Sequence, residues 1–224
     1  MLNPDLARRL VAEFVGTALL LAGVIGSGIM AERLTDDVGL QLLANAGATV
    51  GVLYAIILMF GPVSGAHFNP AVTFADTLLG NRPWSDVGPY IVAQIAGGAV
   101  GVIVANLMFE LDAINVSEKV RDGSGQYLGE AVATFGLVAL IFSLVRTDRA
   151  HLAASAVAAY IGGAYWFTSS TSFANPAVSV TRTLSDTFAG IDPASAPMFI
   201  LMQLVGAVAA VGFVRLIYPE RNDG

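Results

Sequence analysis

The sequence lacks cysteine, has only two histidines, and carries charge on 12% of its 224 residues. Without cysteine there are no disulfides, thiolate nucleophiles or sulfur-ligated metals, and two histidines cannot build a convincing metal cluster alone. Basic residues are also scarce: 11 lysines and arginines stand against 17 aspartates and glutamates, for a net charge of −6. We therefore expect no cofactor, and no nucleic-acid partner, because a phosphate backbone requires a basic face.

What the sequence has instead is apolar residues, which make up 55% of it and give a mean hydropathy of +0.70. That composition is typical of a protein embedded in membrane lipid. A helix needs roughly 20 residues to cross the hydrocarbon core. Four runs reach this length (10–30, 40–60, 89–109 and 196–217), and two more reach it with their small and polar flanks (128–145 and 152–167). The sequence therefore predicts six transmembrane helices.

Two further apolar segments, 61–79 and 168–184, are too short to cross, and each contains the tripeptide Asn-Pro-Ala. Asparagine is a strong N-cap and proline is favoured at the first helical position, so each tripeptide predicts a helix start. A helix that begins at membrane depth is tolerated only where the irregular backbone before it is buried or lines a watery cavity. We expect that cavity to be the functional site. The tripeptide residues are Asn69, Pro70, Ala71, Asn175, Pro176 and Ala177.

The chain also repeats itself, with halves at approximately 7–111 and 126–218. Glu13 and Glu130 occupy equivalent places, each with a threonine four residues later. Each half has three spans, an odd number, so the second half enters the membrane from the opposite side. Such an inverted repeat places its site at the midplane, where the two half-helices meet end to end. Two helix N-termini facing each other there repel cations.

The distribution of basic residues predicts the orientation of the chain in the membrane. If both termini are cytoplasmic, the inner side has more basic residues than the outer side. The inner residues are Arg8, Arg9, Arg82, Arg146, Arg149, Arg215 and Arg221, and the outer ones are Arg33, Lys119, Arg121 and Arg182. We expect a multi-pass protein of the cell (inner) membrane with cytoplasmic termini.

The paired Asn-Pro-Ala half-spans, with Ser-Gly-Ala-His-Phe at 64–68 and Glu-x-x-x-Thr early in each half, resemble the aquaporin (major intrinsic protein) family. The resemblance covers nearly the whole chain. It implies an all-α membrane protein with six helices and two re-entrant half-helices, forming a single channel domain over 1–224. It also implies one pore per protomer and a homotetramer. No constellation of side chains supports enzyme chemistry.

The resemblance further implies roles for individual residues. The amides of Asn69 and Asn175 donate hydrogen bonds to the passing solute and interrupt the water wire that a proton would follow. Glu13 and Glu130 accept hydrogen bonds from the re-entrant loops, although an ionisable residue within a span also suggests proton coupling. His67 either lines the pore or only braces its loop. The carbonyl ladder that faces the solute is expected at Gly65, Ala66, His67, Phe68, Thr171, Ser172 and Phe173.

One position departs from the family pattern, because Val178 stands where most members have an arginine at the outer constriction. Distances from the motifs place Thr49, Gly163 and Ser172 in the same ring, with Phe173 in place of Ser172 if the loop register shifts by one. These small side chains predict a wide and nearly uncharged constriction. Arg182, one turn beyond Val178, either supplies charge to the outer vestibule or reaches lipid headgroups or Asp186.

We therefore expect a passive channel for small uncharged solutes such as water and glycerol-like polyols. The missing arginine resembles a branch of bacterial aquaglyceroporins associated with arsenic resistance, which suggests neutral arsenite and methylated arsenicals as further solutes. A secondary active transporter also uses inverted repeats and broken helices, but no carboxylate adjoins the half-helix starts. A water-selective aquaporin and a closed membrane scaffold are also compatible with the pattern of spans. The expected partners are membrane lipid and small neutral solutes.

Overall fold

The computed structural model describes residues 4–219, so Arg221 of the predicted inner side lies outside the described residues. The described chain is helical, apart from its loops and one isolated bridge between Asn115 and Ser185. The helices are α1 (Pro4–Leu34), α2 (Val38–Ser64), α3 (Pro70–Leu78), α4 (Trp84–Met108), α5 (Ser124–Arg146), α6 (Ala153–Phe167), α7 (Pro176–Thr181) and α8 (Ala196–Ile217).

Five of these helices, α1, α2, α4, α5 and α8, are long and apolar enough to cross a membrane. The sixth predicted span is α6, which has 15 residues and follows a short 3-10 turn at Ala150–Leu152. The two half-spans are the short helices α3 and α7, and α7 continues into a 3-10 turn at Arg182–Leu184. This is the predicted arrangement of six spans and two half-helices.

The half-helices begin as their tripeptides predict. Asn69 has an extended backbone, and its side-chain oxygen accepts a hydrogen bond from the amide of Ala71 at 2.9 Å. Asn175 caps α7 in the same way, through the amides of Ala177 at 3.0 Å and Val178 at 3.3 Å. Proline follows each cap at the first helical position, where its missing N–H has no cost.

Glycines allow the long helices to approach closely. A Cβ added at Gly97 of α4 would lie 2.1 Å from the carbonyl oxygen of Phe14 in α1. In the other half, a Cβ at Gly206 of α8 would lie 2.3 Å from the carbonyl oxygen of Ala131 in α5. Backbone therefore packs directly on backbone at both places, which positions α1 and α5, the helices that carry Glu13 and Glu130.

Candidate transport pathway

A cavity of about 560 Å³ lies between the helices. One end is lined by Arg82 and His151 and is called the Arg82 end, and the other is lined by Arg182 and is called the Arg182 end. Both cap residues, Asn69 and Asn175, lie on its wall. The helix residues of the wall include Leu20, Val24, Thr49, Leu53, Leu137, Val157, Ile161 and Tyr165. Most of these are aliphatic, so polar groups face a permeant mainly from the loops and half-helix starts.

Each asparagine side chain is held by a backbone carbonyl from the other half of the chain. The amide nitrogen of Asn69 donates to the carbonyl oxygen of Ala174, and that of Asn175 donates to the carbonyl oxygen of Phe68, both at 2.7 Å. Each side-chain oxygen is already occupied by its helix cap. Because a primary amide has two N–H groups, each asparagine keeps one donor for a solute, while its oxygen stays turned toward the helix. The half-helices meet through these N-terminal ends.

The loops before the half-helices are wound into unusual backbone conformations. Ala66 and Phe68 in the first loop have φ of 51° and 50°, and Ser172 and Ala174 in the second have 52° and 49°. Left-handed conformations of this kind cost a non-glycine residue on the order of 1–3 kcal/mol each, so the surroundings must hold them. In these conformations successive backbone N–H groups of each loop point to buried acceptors.

Glu13 supplies those acceptors for the first loop. Its carboxylate accepts hydrogen bonds from the amides of His67 at 3.0 Å and Phe68 at 2.7 Å, and from the hydroxyl of Ser64 at 2.6 Å. Gln94 of α4 donates to the same carboxylate at 2.8 Å. The carboxylate is fully buried. The family resemblance predicts this role for Glu13, as an acceptor for the amides of the first re-entrant loop.

Glu130 repeats the arrangement in the second half. It accepts from the amides of Phe173 at 2.9 Å and Ala174 at 2.8 Å, and from the side chain of Gln203 at 2.6 Å. Gln203 also donates to Ser179 at 2.8 Å, as Gln94 donates to Thr73 at 3.0 Å in the first half. Both carboxylates are thus occupied by loop amides and a glutamine.

Three of the four predicted constriction residues line the cavity: Thr49, Ser172 and Val178. Gly163 does not. It is exposed on the outside of α6, where an added Cβ would meet no other atom within 4 Å. Helix α6 faces the cavity with Ile161 and Tyr165 instead. At about 100° per residue, position 163 points away from the face shared by 161 and 165, so the placement of Gly163 by its distance from the motif is wrong.

Tyr165 gives this part of the wall a polar group that the sequence analysis did not include. Its hydroxyl lies 3.1 Å from the hydroxyl oxygen of Thr49. Thr49 donates its own proton to the carbonyl of Asn45 at 2.8 Å, so Tyr165 is the donor in the pair. Both side chains are buried. The wall opposite the loops therefore contains a fixed aromatic hydroxyl.

Arg182 lies on the cavity wall, as the first of the two alternatives considered for it requires. It is 2% exposed and lines the cavity, so it neither extends to lipid headgroups nor pairs with Asp186. Its Nε donates to the carbonyl of Ala189, and its guanidinium carbon lies 3.5 Å from the centroid of the Phe173 ring. Valine does occupy position 178, but a guanidinium lines the wall at position 182.

Of the three residues predicted to present carbonyls from the second loop, two line the cavity. Ser172 and Phe173 both line the cavity, so no choice between them is needed, whereas Thr171 is absent from the wall. In the first loop Gly65, Ala66, His67 and Phe68 all line it. The hydroxyl of Ser172 is buried and has no hydrogen-bond partner within residues 4–219.

At the Arg82 end, His67 has both of the roles considered in the sequence analysis: it lines the cavity and it braces its loop. Its Nδ1 lies 3.0 Å from the hydroxyl of Thr73, which fixes the ring. Asp76 lies 3.4 Å from its Nε2 and 3.1 Å from the Nε of Arg82. Arg82 also lies 4.1 Å over the ring of Tyr90. The Arg82 end is therefore polar, and the positive charge of Arg82 is paired with the negative charge of Asp76.

The comparisons with known proteins agree with this geometry. A family model described as Major intrinsic protein matches residues 1–174. This chain belongs to the major intrinsic protein family. It is 49% identical over 218 residues to "Aquaglyceroporin AqpS" of Rhizobium meliloti (strain 1021), covering 97% of this chain and 93% of that protein.

Two more distant matches extend along almost all of this major intrinsic protein. "Probable aquaporin AqpM" of Archaeoglobus fulgidus is 31% identical over 242 residues, covering 96% of this chain and 98% of that protein. A solved structure, "X-ray structure of the aquaglyceroporin from Plasmodium falciparum", superposes with a TM-score of 0.71 at 18% identity, covering 95% of this chain and 96% of that one. The last similarity shows the fold, and it confirms the predicted fold class.

Not every site residue of this major intrinsic protein was assigned in the sequence analysis. For some of the unassigned residues the sequence does contain a pattern that indicates their position. Tyr165 lies four residues after Ile161 and eight after Val157, a helical spacing that marks one face of α6. Gln94 and Gln203 stand at matching places in the repeat, beside the close-packing glycines. No comparable sequence signal shows that Arg182 is buried, because its contacts come from the distant residues Phe173 and Ala189.

Proposed function

We propose that this protein is a passive transmembrane channel for small uncharged solutes. The proposal rests on one observation: both asparagine caps lie on the wall of the same cavity, and each keeps one free N–H donor. The N-terminal ends of α3 and α7 meet there, so a cation at that point encounters two partial positive charges. A neutral solute with oxygen atoms instead finds two hydrogen-bond donors.

Water and glycerol-like polyols are the proposed permeants. A hydroxylated solute accepts from Asn69 and Asn175 and donates to loop carbonyls, while its carbon atoms contact the aliphatic wall. The name aquaglyceroporin given to a relative 49% identical over nearly the whole chain supports polyols as solutes. Neutral arsenite, and methylated arsenicals that keep hydroxyl groups, are compact hydroxides that form hydrogen bonds of the same kind, and we include them in the proposal.

Stopped-flow light scattering on proteoliposomes tests this assignment. Water, glycerol, urea and neutral arsenite should each enter faster than they enter protein-free vesicles of the same lipid. If none of them does so with correctly assembled protein, the channel assignment fails.

Single cysteines locate the pathway, because the chain has none of its own. Thr49→Cys and Gly163→Cys form a matched pair, since both positions were predicted to lie in the constriction but only Thr49 lines the cavity. A thiol reagent should block glycerol flux through Thr49→Cys and leave flux through Gly163→Cys and the unmodified protein unchanged. Equal block of both variants would contradict the position of the pathway.

The proposed assembly is a homotetramer. Gly47 and Gly51 on α2, and Ala159 and Gly163 on α6, are exposed, so two helices present small residues at four-residue spacing. Such surfaces allow helices of neighbouring subunits to approach closely. Gly51→Leu should reduce the tetramer fraction in light scattering coupled to size-exclusion chromatography. Gly212→Leu, at an exposed glycine of α8, is the matched control that should not.

We propose that the protein is not an enzyme. We also propose that it lies in the cell (inner) membrane, with the Arg82 end and both termini in the cytoplasm. On the proposed outer side Arg121 and Arg182 are buried, which leaves Arg33 and Lys119 as accessible basic residues there. The excess of accessible basic residues on the inner side supports this orientation. A reporter fused to the C-terminus, active only on one side of the membrane, tests it.

A further inference from the structure

Arg182 is a buried cation without a matching anion. Its side chain is 2% exposed, and within residues 4–219 it takes part in no salt bridge. A buried charge is unfavourable unless hydrogen bonds or a polar solute compensate it. The described contacts use only part of its hydrogen-bonding capacity, and the rest faces the cavity.

The contacts of Arg182 fix the plane of its guanidinium. Nε donates to the carbonyl of Ala189, and the guanidinium carbon lies 3.5 Å from the centroid of the Phe173 ring. Phe173 is itself held by its amide, which donates to Glu130, and by edge contact with the ring of Phe199 at 5.2 Å. The guanidinium is therefore an oriented group.

An arginine side chain has five N–H donors, and Nε uses one of those of Arg182. The two terminal nitrogens have no hydrogen-bond partner in the described part of the chain, so four donors remain for the cavity. Also on the wall is the hydroxyl of Tyr165, whose proton is donated to Thr49 but whose oxygen still accepts. Val178 contributes no polar group to this wall.

We propose that Arg182 is the specificity-determining residue at its end of the pathway, and that it selects neutral solutes with two hydroxyl groups on the same or adjacent atoms. This inference rests on the channel function proposed above. The planar fork matches two neighbouring oxygens in a bidentate geometry, which a single water molecule cannot use. The hydroxyl oxygen of Tyr165 accepts a hydrogen bond from the same solute. Arg182 thus acts from one helical turn beyond the position occupied by Val178.

Arg182→Lys and Arg182→Met test this inference, with Arg33→Met as the matched control. Lysine keeps the charge but loses the planar fork, and methionine loses both. Arg33 also stacks on a phenyl ring, with its guanidinium carbon 5.1 Å from the Phe109 centroid, and also donates to a carbonyl, but it is exposed and outside the cavity. Glycerol and water permeability are measured in the same proteoliposomes.

The ratio of glycerol to water permeability should fall by about tenfold or more in both Arg182 variants, the size expected when charge-assisted hydrogen bonds are lost. It should be unchanged in Arg33→Met. An unchanged ratio in folded Arg182→Lys and Arg182→Met would overturn the role of Arg182. If the unmodified protein does not carry glycerol faster than protein-free vesicles, the proposed channel function fails instead.

A second measurement does not depend on flux through a variant. In Val178→Cys, which keeps Arg182, the new thiol is the only one in the chain and lies on the cavity wall one helical turn from Arg182, and its reaction rate with a methanethiosulfonate reagent is measured in detergent-solubilised protein. Excess glycerol should slow that reaction, and excess urea, which has no hydroxyl groups, should not. If glycerol leaves the rate unchanged, or urea slows it equally, no diol-selective site exists beside Arg182.

Discussion

The side chain at position 178 determines how much space remains beside the guanidinium of Arg182. In Val178→Arg a second guanidinium enters the same wall, adding volume and positive charge. We expect glycerol permeability to fall more than water permeability, because the larger solute requires the space. The ratio of the two permeabilities, measured in the same vesicles, checks this prediction.

Val178→Met is the control for that variant, since methionine adds length without charge or donors. It should reduce the ratio less than arginine does. Thr49→Trp, which adds bulk from the facing helix α2, should act in the same direction as Val178→Arg. If Val178→Arg assembles normally and the ratio does not change, selectivity is determined elsewhere, at the asparagine caps or at His67.

The buried carboxylates are expected to maintain the loops rather than carry protons. In Glu13→Gln or Glu130→Gln, one carboxylate oxygen becomes an amide nitrogen that cannot accept, so buried loop amides lose a partner at a cost of about 1–3 kcal/mol each. Folded yield and thermal stability should decrease, with the glycerol-to-water ratio retained. Glu32→Gln is the control, because Glu32 accepts from the amide of Phe188 at 3.0 Å but is exposed.

A transport role for these carboxylates would give the opposite pattern. Either variant would then assemble in normal yield and lose a component of flux that depends on pH. Measuring yield and flux at several pH values for the same preparations separates the two.

At the scale of helices, the close contact between α1 and α4 requires glycine at position 97. A methyl group in Gly97→Ala would meet the carbonyl oxygen of Phe14, so the helices must separate, and we expect a loss of about 1–3 kcal/mol of stability. Gly88→Ala, in the same helix but with open space around it, should be neutral or slightly stabilising. Thermal melting in detergent compares the two. Equal melting temperatures would contradict the backbone contact.

The helices could be predicted from the sequence because each depends on local information. Run lengths identify the spans, and the caps at Asn69 and Asn175 place the half-helix starts at the residue where they occur. The short helix α6 is the weak point. Its run is brief and the length of its loops is not encoded locally, so counting from the motif selected Gly163 in place of the face that contains Tyr165.

The side-chain environment of the site could be predicted only where the repeat provides a second copy. Glu13 and Glu130 have equivalent partners in the two halves, and their matching positions already indicated a shared task. Arg182 has no such counterpart. Its burial depends on Phe173 and on the carbonyl of Ala189, which lies in a long loop whose path the sequence does not indicate.

For the whole molecule, the two halves complete each other's site. Asn69 is held by a carbonyl of the second loop and Asn175 by a carbonyl of the first, so neither pore amide is positioned by its own half alone. The cavity is correspondingly lined by residues of both halves. We expect a pathway built in this way to pass a neutral solute without the alternating movement that a carrier requires.

The dependence of glycerol flux on its driving force tests that central claim most directly. Proteoliposomes containing the purified protein are given glycerol gradients of increasing size, with and without a transmembrane pH gradient and a membrane potential. The account predicts an initial flux that rises in proportion to the gradient, does not saturate, ignores the pH gradient and the potential, and is accompanied by no electrical current. Saturating flux, or glycerol accumulation against its gradient driven by protons or voltage, would contradict it.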